Sequence, residues 1–276
     1  MSGFTNDVAR GNAAASPTIA PPRWERPNAL TFIIGFAVFA FVVWSFGSVG
    51  LSWERIERGI PALGSIFQRM FPPDIERLQQ ILKSLLVTFQ MALVGCILGL
   101  IFAFPISILA TEGLSPHPVV KQAARGLIAL FRTVPDLVWA LLFVIAVGLG
   151  PAAGVMAIMV DKIGFAGRFF AEAMEEVDKG PQEALAAIGA TKIGLIFSAI
   201  VPQALPSFVA TSLFSLEKAV RGSVILGLVG AGGIGVELKV AFDLFAYDTA
   251  STIIIAIFVL VVLVEQISNF VRRRLI

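Results

Sequence analysis

The sequence predicts an all-α fold, a polytopic membrane helix bundle with about six transmembrane helices. Composition and charge spacing carry that prediction. Of 276 residues, 57% are hydrophobic and only 14% charged, where a soluble domain carries about 25% charged residues. Pro27 to Trp53 and Ser84 to Thr111 hold no charge at all. Each run exceeds the roughly 20 residues that carry a helix across the hydrocarbon layer. The net charge of +2 is too small to point to nucleic acid, so the lipid bilayer is the expected surroundings.

Residues 1–28 are polar and rich in Ala and Pro and read as a disordered cytoplasmic N-terminus. The first apolar run starts late and has no small-residue cleavage site, unlike a signal peptide. The first transmembrane helix is expected over 29–50, with Trp44 and Trp53 near an interface. Residues 51–80 mix Glu54, Arg55, Glu57 and Arg58 with Phe67, Met70 and Phe71. They predict an extracytoplasmic amphipathic segment, stopped at Phe71-Pro72-Pro73-Asp74.

A five-helix core follows over 81–270. Its first span, about 81–111, holds Gly95 and Gly99 as a GxxxG packing site, and Pro105 is expected to bend it. The next span, about 126–148, holds Arg132 and Asp136 at i and i+4, an expected pair, although Pro135 breaks the helix ladder between them. After the turn GLGPAAG comes a span to about 172, interrupted by Asp161, Lys162 and Arg168. The last two spans are expected over 203–229 and 249–270, before a basic cytoplasmic tail, 271–276. Placing both termini in the cytoplasm leaves ten Lys and Arg residues on inner segments against five on outer ones, as the positive-inside rule requires. Cys96 is the only cysteine, and His117 the only histidine, in a Ser-Pro-His-Pro turn. A metal site is therefore not expected.

A polar interruption at 175–202 separates two of these spans. Gly180-Pro181 breaks the preceding helix, and Pro181 suits the first turn of a new one, where its missing N–H costs nothing. Glu183 in that turn meets the positive end of the helix dipole. Ala184, Ala186 and Ala187 keep the helix slim, and Gly189 either ends it or lets a partner backbone come close. Such a helix suits a cleft on another protein. The plainer alternative is an ordinary connector.

Charges also fall inside the span at 203–229. Glu217 and Arg221 are at i and i+4 and share one helix face, with Lys218 about 100° away. Charges at membrane depth usually face a bundle interior or water. They are either a self-neutralising packing pair or part of a translocation path in which Arg221 meets an oxyanion. The run GLVGAGGIG, with Gly230, Gly232, Gly233 and Gly235, is either a flexible outer loop or a re-entrant gate.

The segment from Glu183 to Pro202 resembles the EAA loop by which ABC importer permeases dock onto their ATPase. Glu183, Ala184, Gly189 and Pro202 match that spacing, whereas Leu185, Ala199 and Val201 depart from it. Together with VGLGP at 147–151, PQALP at 202–206 and LVGAGGIGVEL at 228–238, it resembles the phosphonate-type ABC importer permease, the PhnE family, from about Phe71 to the C-terminus. The resemblance implies a type I ABC importer permease fold, like that of the methionine permease. It implies a homodimer, two cytoplasmic ABC ATPase subunits and an extracytoplasmic phosphonate-binding protein. It also implies a multi-pass place in the cell inner membrane.

The expected function is the permease subunit of an ATP-driven importer for phosphonate, phosphite or a phosphate ester. The chain has no GxxxxGK[ST], so no cofactor is expected in it; ATP and Mg2+ would be bound by the partner ATPase. The alternatives are a permease for another small solute such as methionine, or an integral membrane enzyme acting on lipid phosphate. The enzyme would need a His, Asp or Ser cluster near an interface. A passive channel would not need the EAA segment.

Overall fold

The structure is a computed structural model that describes residues 28–50 and 52–275. The expected N-terminal leader lies outside the described residues, apart from Asn28. All regular structure among the described residues is helical. The chain divides into two compact units between Ala62 and Leu63.

In the first unit, α1 (Ala29–Ser48) buries none of its side chains. Its Phe32, Phe36, Phe39 and Trp44 are exposed, as a helix surrounded by lipid allows. α2 (Trp53–Arg69) runs across the division. Its Trp53, Ile56, Ile60, Leu63 and Phe67 recur at three- and four-residue spacing and are exposed. Glu54 and Arg58 pair at 3.2 Å on its other side. This two-faced pattern is that of an amphipathic helix.

The second unit is built around α6 (Pro151–Glu175), which packs against α3 (Leu78–Ala110), α4 (Pro118–Thr133), α5 (Asp136–Val147) and α9 (Val201–Leu228). Small residues make this possible. Ala153, Gly154, Ala157, Gly164, Ala166, Gly167 and Ala171 of α6 are all buried, and small side chains let helix backbones approach closely. On α3, a Cβ placed on Gly95 would lie 2.8 Å from the Ile158 side chain, and one on Gly99 would overlap Lys162. The GxxxG packs as expected.

The charges on α6 are enclosed by this packing. The Lys162 side chain is 2% exposed, and its Nζ lies 2.7 Å from Asp161 Oδ2. Asp161 also faces Lys218 of α9, with Nζ 3.7 Å from Oδ1. One carboxylate therefore serves two ammonium groups from neighbouring helices. An unpaired charge at this depth would be costly.

Three expectations need correction. The span expected over 126–148 is two helices, α4 and α5, bent by 90°. Val134 is extended and Pro135 has no N–H to continue the ladder. The Arg132–Asp136 ion pair is accordingly absent among the described residues. Asp136 Oδ1 accepts from the Leu137 N–H at 2.9 Å, and Arg132 lines a separate cavity with Arg125, Arg168 and Glu172. The basic tail is likewise no separate segment, because α11 (Tyr247–Leu275) continues through Arg272, Arg273 and Arg274. There the arginines favourably meet the negative end of the helix dipole.

Among the described residues, four helical stretches are long and apolar enough to cross a membrane: α1, α3, Lys192–Leu228 and Tyr247–Arg274; the bent pair counts as a fifth if it is one span. The sixth expected crossing corresponds to α6. It has 25 residues, about 37 Å at 1.5 Å per residue, but its buried charges break the apolar run.

Two outcomes follow from this core. Gly99→Val should destabilise the detergent-solubilised protein by about 1–3 kcal/mol through overpacking. Gly126→Val, where a Cβ meets nothing within 4 Å, should leave thermal unfolding nearly unchanged. Asp161→Asn strands Lys162 and should cost about 3–5 kcal/mol. Adding Lys162→Met should recover most of that loss, as read by thermal unfolding and membrane yield of the single and double variants.

Candidate functional site

The polar interruption at 175–202 is a built loop. After α6, Asp178 Oδ1 accepts from the Gly180 N–H at 3.1 Å and starts α7 (Gly180–Ala187), with Pro181 and Glu183 in its first turn. The helix stops where the Gly189 N–H donates to Ala186 O and the Ala190 N–H donates to Leu185 O, both at 3.0 Å. These two bonds form the Schellman closure, which needs a left-handed residue at the glycine position; Gly189 has φ +85°. A Cβ there would meet nothing within 4 Å. Within this chain the glycine therefore serves the turn, and the space around it is open. Glu183, Ala184, Ala186, Ala187 and Ile188 are all exposed, so α7 presents an unpartnered slim surface.

The chain returns through α8 (Lys192–Leu195), capped by Thr191 Oγ1 accepting from Gly194 N–H at 3.2 Å. A π-helical turn, Ile196–Ile200, then leads into α9 with Pro202 in its first turn. In a regular helix a proline ring clashes with the carbonyl four residues earlier, here that of Ser198. The wider π turn opens the backbone at that point.

The anchor of this loop was not visible as a motif. Glu175, the last residue of α6, accepts through Oε1 from the Glu112 N–H at 2.8 Å and from Arg125 Nη2 at 2.6 Å. Arg125 Nε also donates to Ala110 O at 2.8 Å. One carboxylate thus ties the end of α3, the α3–α4 turn and α4 to the base of the loop. A cavity of about 300 Å³, lined by Glu112, Met174, Glu175, Lys179, Gln182 and Ile200, lies under α7. Arg125 and Glu175 are more than 45 residues apart in the sequence, and no local pattern joins them.

The charges of α9 form the second feature. Arg221 Nη2 lies 2.8 Å from Glu217 Oε1, the i,i+4 pair expected; their side chains are 48% and 11% exposed. Lys218, 44% exposed, is held only at 3.7 Å by Asp161. The acid is buried and the two cations reach outward. Asp136 closes the region from α5, since a Cβ on Gly222 would lie 3.4 Å from its Oδ2.

The glycine run is a packed turn between α9 and α10 (Ile234–Asp243). Gly230 O accepts from the Gly150 N–H at 3.0 Å. The Ile234 N–H donates to Thr88 Oγ1 at 2.7 Å. A Cβ on Gly232 would press on Pro151 at 2.9–3.1 Å, and one on Gly233 (φ +73°) would overlap Thr88. Gly235 packs its backbone on Gly227 inside α10. The turn is pinned to α3 and to the start of α6. It joins the VGLGP and glycine segments, which are distant in sequence.

Comparison with known proteins bears on the fold and the family. Residues 95–276 match the family described as binding-protein-dependent transport system inner membrane component. The chain is 37% identical over 246 residues to the phosphate-import permease protein PhnE of Mycolicibacterium smegmatis, covering 88% of this chain but only 45% of that protein. It is 32% identical over 250 residues to the phosphite transport system permease protein PtxC of Stutzerimonas stutzeri, covering 91% of this chain and 90% of that one. Among solved structures, the inward-facing MetNI methionine ABC transporter aligns with a TM-score of 0.65 at 23% identity, over 73% of this chain and 99% of that one. The fold is therefore that of a type I ABC importer permease. A membrane bundle with this fold, matched over more than half its length, belongs to the family of binding-protein-dependent transport system inner membrane components.

Proposed function

We propose that this chain is the permease subunit of an ATP-driven importer for phosphonate or a related oxyanion such as phosphite or a phosphate ester. It works as a homodimer with two cytoplasmic ABC ATPase subunits and an extracytoplasmic binding protein. ATP and Mg2+ bind to the ATPase partner, and this chain changes no covalent bond. Both termini lie in the cytoplasm, with α7 on the same side. The observation that carries this reading is α7 itself. It is slim, exposed, closed by Gly189 and anchored through Glu175. A helix with that base transmits a push from a partner into α6 and α9.

The cargo class rests on charge and on relatives. Arg221 and Lys218 reach outward from the less exposed Glu217 and Asp161, and a guanidinium fork suits a tetrahedral oxyanion. The Stutzerimonas stutzeri relatives named for phosphite transport are 32–46% identical. Relatives named for methionine are 25–26% identical, which favours the oxyanion over an amino acid. In a dimer, two copies of Arg221 would form a positive throat that draws anions. The glycine turn at 230–235 would close its outer end.

Two measurements check this. Gly189→Val forces a β-branched residue into a left-handed turn, at a cost of about 1–2 kcal/mol. It should reduce co-purified ATPase and coupled hydrolysis while the membrane domain still folds. Wild-type levels of both would rule out docking through α7. For the path, Arg221→Lys should keep assembly and lower phosphite uptake several-fold. If a Glu217→Ala, Arg221→Ala double variant regained both yield and uptake, Arg221 would be a structural partner alone.

A further inference from the structure

The outward cations of α9 do not stand alone on their face. Thr211, Phe214, Lys218 and Arg221 are spaced by three and four residues and so share one side of the helix. Phe214 packs against Phe165 of α6 with ring centroids 5.8 Å apart. Lys218 Nζ lies 4.9 Å from the centroid of that same Phe165 ring. The face then continues, in the half of α9 nearer the coupling loop, into a cavity of about 380 Å³. Phe165, Phe169, Ala210, Thr211, Phe214 and Arg272 line it.

Among the described residues, Arg272 lacks the carboxylate partner that several other cations of the bundle have. Arg125, Lys162, Arg168, Lys218 and Arg221 each have a carboxylate within 4.0 Å. Arg272 has none among the described residues, and its Nε is buried with no hydrogen-bond partner. A buried donor left unsatisfied is costly, and native structures leave few of them. The Arg272 side chain also lines the cavity, so an anion entering it would meet a guanidinium group that holds no carboxylate.

We propose that this cavity is an inner oxyanion station of the importer. Arg272 takes up a phosphonate- or phosphite-type oxyanion that has left Arg221 and Lys218. The proposal rests on the importer reading above. Two sites of fixed positive charge are thereby separated by an aromatic stretch. Transport needs binding strong enough to admit the ion and weak enough, over several sites, to release it. A continuous row of guanidinium groups would hold an oxyanion too long; phenylalanine rings between stations prevent that. The planar fork of Arg272 would contact two oxygens of one tetrahedral group.

The test uses the whole transporter with its ATPase, in inside-out vesicles, carrying Cys96→Ser and Thr211→Cys. The new thiol is probed with an anionic sulfonatoethyl and a cationic trimethylammonioethyl thiosulfonate reagent. Both reagents are expected to react, and phosphite is expected to slow both. Adding Arg272→Gln should lower the anionic-to-cationic rate ratio several-fold and abolish the protection. Failure of both reagents, with a Lys192→Cys control labelled, would show the cavity facing lipid and overturn the station. So would a rate ratio unchanged by Arg272→Gln. Loss of the ATPase from all preparations, wild type included, would sink the importer reading as a whole. Either negative result with the ATPase retained sinks the station alone.

Discussion

The enclosure of Lys162 is the constraint on which the rest of the bundle depends. An ammonium group at the centre of a membrane helix is tolerated only with a carboxylate beside it and without lipid around it. Asp161 supplies the first condition at 2.7 Å. The second requires α6 to be wrapped by α3, α4, α5 and α9. Wrapping at that closeness requires the small residues of α6 and the bare backbone of Gly99 opposite Lys162. The charge also enlists α9, because Asp161 reaches Lys218. The element that looks least suited to a membrane is therefore the one that organises it.

At the end of the bundle nearer α7, the same helix carries the loop. Glu175 terminates α6 and accepts from both Arg125 and the Glu112 backbone. The end of α6 from which the chain leaves for α7 is therefore fixed to α4 and to the α3–α4 turn. On the other side of the loop, α8, the π turn and α9 run on without interruption from Lys192 to Leu228. The two helices that meet at Asp161 and Lys218 are thus the two that emerge on either side of α7. In the function proposed above, a push on α7 would reach the charged face of α9 through these two helices alone.

Much of this was legible in the sequence, because membrane depth and helix breakers leave local signs. Uncharged runs located α1 and α3, and Gly180-Pro181 with Gly189 marked both ends of α7. The Glu217–Arg221 pair follows from helical spacing alone. What was not legible depends on contacts between distant residues. The fate of Arg132 and Asp136 turned on how far Pro135 bends the chain, and the 90° turn separates residues that helical spacing would unite. The Glu175–Arg125 anchor joins residues far apart in the chain. The packing of the glycine run had no local sign, because its partners, Thr88 and Pro151, lie on other helices.

The π turn at Ile196–Ile200 has one more consequence. Successive residues of an α-helix are set about 100° apart around the axis. A π turn takes up one residue more than an α turn while advancing the helix by about the same single revolution. The extra residue is therefore absorbed where it stands, and Phe214, Lys218 and Arg221 keep the bearing that an uninterrupted helix would give them. A single-residue deletion there would leave the cation face directed at Asp161. It would instead press the Pro202 ring onto the carbonyl four residues before it. The wide turn is a spacer that admits the proline without turning the rod.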